Sequence, residues 1–65
     1  MTLIINGQQR NFETQLTIHQ LLNKLELTAD RVVVELNREI LTVEAHDTLL
    51  KDGDTLEVIQ FVGGG

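Results

Sequence analysis

The dipeptide Asn6-Gly7 stands between "TLII" and "QQRNFE", and no other short stretch constrains this chain as strongly. A two-residue reversal of type I′ needs positive φ at both central positions, which Asn and Gly tolerate best. The opening stretch therefore reads as a β-hairpin, with Leu3 and Ile5 on one side and Phe12 on the returning strand.

A helix follows at once. In "LTIHQLLNKLEL" Thr17 and Gln20 have the spacing of a capping box, and Leu16 and Leu21 stand at the positions of a hydrophobic staple. Ile18, Leu21, Leu22 and Leu25 fall at i, i+3, i+4 and i+7, so one stripe faces a core. "RVVVELN" is a β-branched run of strand length, and Asn37 before "REIL" predicts a reversal with a short partner strand around Ile40 and Leu41. "EAHDTLLKDGD" reads as an irregular connection in which Leu49 and Leu50 plug a core edge. Asp52-Gly53-Asp54 then turns the chain into a last strand, Thr55 to Val62.

The order is strand, strand, helix, strand, short strand, strand. By analogy of topology this is an α+β fold, a β-grasp (ubiquitin-like) roll with a mixed sheet of four to five strands packed on one helix. The first and last strands are expected side by side at the centre. The domain is expected to span 1–62, with 63–65 as a flexible C-terminal glycine tail. A chain of 65 residues buries only about 60% of its unfolded surface on folding. With Phe12 and Phe61 as the only aromatics, its core must be aliphatic. Cys is absent, which excludes a disulfide staple and a thiolate metal site.

Ten acidic residues against five basic ones give a formal charge of −5, and the basic residues are scattered. Nucleic acid and anionic membrane need clustered positive charge, so neither is an expected partner. A larger protein with a basic docking surface is. The N-terminus lacks a basic segment followed by a long apolar run, and no stretch approaches the length that crosses a bilayer. The expectation is a cytoplasmic protein.

Catalytic constellations are missing. His19 falls in the first helical turn and His46 in a loop, with no Cys to activate and no metal-site spacing, so both read as solvated histidines. Asp52 and Asp54 flank Gly53 as turn residues. No glycine-rich loop joins a strand to a helix, which leaves no phosphate cradle. The chain by itself is expected to be no enzyme, and to bind no metal or cofactor.

What remains is Gly63, Gly64 and Gly65. A frayed terminus or a leftover linker is the plain account. The functional account is that a backbone without Cβ atoms can lie extended in a narrow slot, roughly 10 Å beyond the last strand residue. The carboxylate of Gly65, ionised at neutral pH, would then reach another protein's active site. There it can attack an ATP phosphorus once a metal and basic groups offset the repulsion. Strand alternation puts Leu56 and Val58 on one face, and Ile59 and Phe61 on the other with Glu57. Ile59, Phe61 and Val62 would form an apolar partner-binding surface leading into the tail.

The stretches "LIINGQ", "TIHQLLNKL", "VVVELNREIL" and "LLKDGDTLEVIQFVGGG" together resemble the ThiS family, the ubiquitin-like sulfur carriers of thiamine biosynthesis, over the whole chain. The resemblance implies that a ThiF-like adenylyltransferase, consuming MgATP, converts the Gly65 carboxylate to an acyl-adenylate. Sulfur drawn from cysteine through a cysteine desulfurase persulfide would replace AMP and leave a thiocarboxylate. Thiazole synthase would accept that sulfur. In this picture Gly65 reacts, Gly64 keeps the slot accessible and Gly63 extends the reach. The residues alone do not show sulfur. A molybdopterin-synthase-type carrier or a ubiquitin-like protein modifier would begin with adenylation of the same Gly-Gly end, and in a plain interaction module the tail would be incidental.

Overall fold

Asn6 and Gly7 take φ angles of 51° and 79° and close a hairpin between β1, Thr2–Ile5, and β2, Gln8–Asn11. A Cβ on Gly7 would meet open space, so its backbone angle and not crowding favours glycine there. Across the open end Met1 and Phe12 exchange hydrogen bonds of 2.7 and 2.8 Å. The computed structural model describes residues 1–61; Val62, Gly63, Gly64 and Gly65 lie outside the described residues, and with them the expected domain end and tail.

The helix α1 spans Ile18–Lys24 and starts where its caps dictate. Thr17 Oγ1 accepts from the Gln20 N–H at 3.1 Å, and Gln20 Oε1 accepts from the Thr17 N–H at 2.9 Å, so two otherwise orphaned donors are paired. Leu16, Ile18, Leu21 and Leu22 are buried. Leu25 already caps the helix and is half-buried. Glu26 then turns left-handed at φ 60°, and the N–H groups of Glu26 and Leu27 return to the Asn23 and Leu22 carbonyls. That is a Schellman stop built without glycine.

A 3-10 turn over Ala29–Arg31 leads into β3, Val32–Leu36. Asn37 and Arg38, at φ 50° and 73°, reverse the chain into β4, Glu39–Leu41. The connection that follows holds a second 3-10 turn, Val43–Ala45, before β5, Thr55–Gln60. Leu50 is fully buried, as expected, but Leu49 is half exposed. Leu49 pairs with Thr17 in an isolated bridge, and neighbours in an extended segment point to opposite sides, so only Leu50 can plug the core. Gly53, at φ 88°, makes the turn into β5.

The five strands form one sheet in the order β2-β1-β5-β3-β4. Its central strand β5 runs parallel to β1 and antiparallel to β3. Leu3, Ile5, Val32, Val34, Leu56 and Val58 join the helix residues and Leu50 in one aliphatic core, with Phe12 packed at its margin. Thus the first and last strands do lie side by side at the centre. Among the described residues no helix is long and apolar enough to cross a membrane.

Candidate functional site

The sheet's central strand is also the strand that leads to the glycines. Leu56 and Val58 point into the core, whereas Glu57, Ile59 and Phe61 are exposed on the opposite side, which is the facing that alternation predicts. The Phe61 N–H donates to the Arg31 carbonyl at 2.8 Å, so pairing with the chain before β3 persists past Gln60. Val62 lies outside the described residues.

Sequence reasoning missed the neighbours that widen this surface. Ile59 stands opposite Val33 on β3, and Glu57 stands opposite Glu35, which in turn faces Ile40 on β4. Ile4 and Ile40 are exposed as well. Alternation within "LII" was the available signal for Ile4, since Leu3 and Ile5 take the core. The result is an apolar strip that contains two directly opposed carboxylates. Like charges in that position destabilise a sheet by themselves and favour a basic partner.

Both turn asparagines hold β5 in place, a role their sequence positions conceal. Asn6 Nδ2 donates to the Val58 carbonyl at 3.2 Å, and Asn6 Oδ1 accepts from the Val58 N–H at 2.8 Å. On the other side Asn37 Oδ1 accepts from the Thr55 N–H, while its Nδ2 donates to Asp54 Oδ1, each at 3.0 Å. Each side chain thus pairs with the backbone of β5, and Asn37 also pairs with the Asp54 carboxylate in the turn before it. Asn6→Gly keeps the positive φ but loses both bonds to Val58, so it is expected to cost about 1–3 kcal/mol. Urea denaturation checks this, and an unchanged midpoint would show that the clamp contributes nothing.

Asp52 and Asp54 are taken up by structural hydrogen bonds, Asp52 tying the turn to β1 and Asp54 bonding within the turn and to Asn37. Asp52 Oδ1 accepts from the Thr2 N–H at 2.6 Å, and Asp54 Oδ2 accepts from the Lys51 N–H at 2.8 Å. His19 is exposed, as expected, but His46 is buried and the expectation of two solvated histidines fails. The cause is local backbone pairing: the His46 N–H donates to the Val43 carbonyl, and the His46 carbonyl accepts from the His19 N–H at 2.8 Å. This draws the imidazole beneath the start of α1. Among the described residues no group of three His, Cys, Asp or Glu could hold a metal ion.

Comparison with known proteins agrees with this geometry. The model of the ThiS family matches residues 3–65. The sulfur carrier protein ThiS of Bacillus subtilis is 38% identical over 65 residues, covering 97% of this chain and 98% of that protein. A thiazole synthase of Paramagnetospirillum magneticum is 41% identical across 100% of this chain, which spans only 20% of that longer protein. The crystal structure of the thiamine biosynthesis protein ThiS from Geobacter metallireducens superposes with a TM-score of 0.83 at 40% identity, covering 100% of both chains. With its five-stranded β-grasp sheet over one helix and this match along its length, the chain belongs to the ThiS family, the sulfur carriers of thiamine biosynthesis.

Proposed function

We propose that residues 1–62 are a docking body and residues 63–65 a tail, and that the Gly65 carboxylate is the group on which sulfur is carried. A ThiF-like adenylyltransferase, using MgATP, joins a carboxylate oxygen to the α-phosphorus and releases pyrophosphate. The terminal sulfur of a persulfide, formed by a cysteine desulfurase or another donor, attacks the acyl carbon and expels AMP. A thiol then opens the resulting acyl disulfide, which leaves the thiocarboxylate and a new disulfide. Thiazole synthase takes the sulfur. The chain is a protein co-substrate in this cycle and needs no bound cofactor of its own.

The observation that carries the reading is the family match, which runs through residue 65 and so takes in the glycine end. Two thiazole synthases, from Paramagnetospirillum magneticum and Magnetococcus marinus, also contain a segment 41% and 32% identical to this chain. A carrier-like segment within the acceptor's own polypeptide supports thiazole synthase as the acceptor. ATP–pyrophosphate exchange by the adenylyltransferase is expected to depend on this chain. No exchange with an enzyme proven active on another carrier would contradict the reading.

Ile59 and Phe61 on the outer sheet face, with Val62 next in the chain, are assigned to partner docking. Phe61 is about half exposed, so Phe61→Asp should leave the unfolding midpoint unchanged. It places a charge where an apolar contact is needed and should weaken binding to the adenylyltransferase by roughly 2 kcal/mol or more, within the range of a central interface residue. Calorimetry would check the affinity, and unaltered binding would remove Phe61 from the interface.

A further inference from the structure

The strand β5 outruns its neighbour β1. The two pair only through Ile4 with Thr55 and Ile5 with Leu56, after which the chain turns away at Asn6-Gly7. On its other side β5 stays paired with β3 as far as Gln60 opposite Val32, and the Phe61 N–H still reaches the Arg31 carbonyl. The sheet therefore has a notch one strand wide, with the hairpin turn as its floor and the end of β5 as its wall.

Hydrogen bonding along β5 shows what that wall presents. The backbone groups of successive strand residues point to alternate sides. The Thr55 carbonyl and the Phe61 N–H bond on the β3 side, to Asn37 and Arg31. On the β1 side the Leu56 carbonyl accepts from the Asn6 N–H, and both backbone groups of Val58 bond the Asn6 side chain. Gln60 is next in the second series, so its N–H and C=O point into the notch, where among the described residues nothing pairs with them. The Asn6 amide stands in for the missing strand at Val58 and reaches no further. An open N–H and C=O at a strand edge form a template for one more extended backbone.

The surroundings indicate which protein supplies it. Alternate side chains of an added segment would stand beside Ile59 and Phe61 on the outer face, so the segment is continuous with the apolar docking surface. Positions 60 and 65 are five residues apart, roughly 17 Å of extended chain, so the segment belongs to the protein that holds the tail. The opposed Glu35 and Glu57 on the same face favour a basic partner. An enzyme that brings ATP and the Gly65 carboxylate together carries basic groups to offset their repulsion.

We propose that an extended segment of the adenylyltransferase enters this notch and pairs with the N–H and C=O of Gln60, adding a strand beside the end of β5. The inference rests on the carrier reading, which supplies that enzyme.

Amide hydrogen exchange, resolved by NMR in the free chain and in its complex with the adenylyltransferase, is the test. The Gln60 amide should exchange rapidly in the free chain and at least about tenfold more slowly in the complex, whereas the Phe61 amide, already bonded to Arg31, is protected in both. Gln60→Pro removes that N–H at a position where it faces open space, which a strand tolerates. It should weaken the complex by about tenfold in calorimetry with a nearly unchanged unfolding midpoint, and Gln60→Ala should bind like the unaltered chain. Wild-type affinity of Gln60→Pro overturns the proposal, and so does unchanged exchange at Gln60 in the complex, which decides the matter if proline disturbs folding. Protection of Gln60 by thiazole synthase alone overturns the assigned occupant. Pyrophosphate exchange with the unaltered chain separates the two readings: if it proceeds while Gln60 stays unprotected, only the added strand is lost, and if it is absent, both are.

Discussion

Removing Gly64 and Gly65 is expected to abolish adenylation while leaving the unfolding midpoint unchanged. The truncated chain still ends in a carboxylate, now on Gly63, so the chemistry of the nucleophile is preserved. What changes is its position, which falls short by roughly 7 Å of extended backbone. Attack on phosphorus needs the reacting atoms within about 3–3.5 Å, and a displacement of about 1 Å can already cost 100-fold. Loss of at least about a thousandfold in kcat/KM, equivalent to roughly 4 kcal/mol, is therefore the expected result. Pyrophosphate exchange supplies the rate, and thermal unfolding shows that the body is intact. Near-normal exchange by the truncated chain would mean that the length of the glycine end is irrelevant.

The second large effect concerns the fold. Leu21 is fully buried between α1 and the sheet. Leu21→Ala should destabilise by about 2–5 kcal/mol, the sum of lost transfer energy and the cavity left behind. Total stability for a chain this short is only of order 3–10 kcal/mol, so the variant should lose a large fraction of it. Leu25→Ala should cost clearly less, because Leu25 is the half-buried cap residue. Urea denaturation of both variants gives the comparison. Equal costs, or a loss below about 1 kcal/mol for Leu21→Ala, would contradict the observed packing.

These two residues also show where sequence reasoning was strong and where it stopped. The Ile18, Leu21, Leu22 stripe and the Thr17–Gln20 box were legible because helical periodicity and capping are local properties. The end of the helix was not, because a Schellman stop usually announces itself with glycine and here uses Glu26 at φ 60°. Asn6-Gly7 declared its turn, whereas the Arg38 half of the second reversal carried no such mark.

The candidate site divides in the same way. The outward facing of Ile59 and Phe61 followed from alternation, but the company of Val33, Glu35 and Ile40 depended on strand order and register. Asn6 and Asn37 were legible as turn formers, yet their bonds to Val58 and Thr55 are long-range contacts that only the assembled sheet creates. His46 was misread for a related reason. Its burial follows from two backbone hydrogen bonds that join a loop to the start of α1, and loop composition does not encode them.

The central claim is that Gly65 carries sulfur at its carboxyl group. The most direct test is the intact mass of the protein after incubation with the adenylyltransferase, MgATP and a persulfide source with a thiol, followed by fragmentation. The predicted result is replacement of one terminal oxygen by sulfur, localised to Gly65. An unchanged mass with all components shown to be active, or a covalent link to a lysine in place of sulfur, would contradict it.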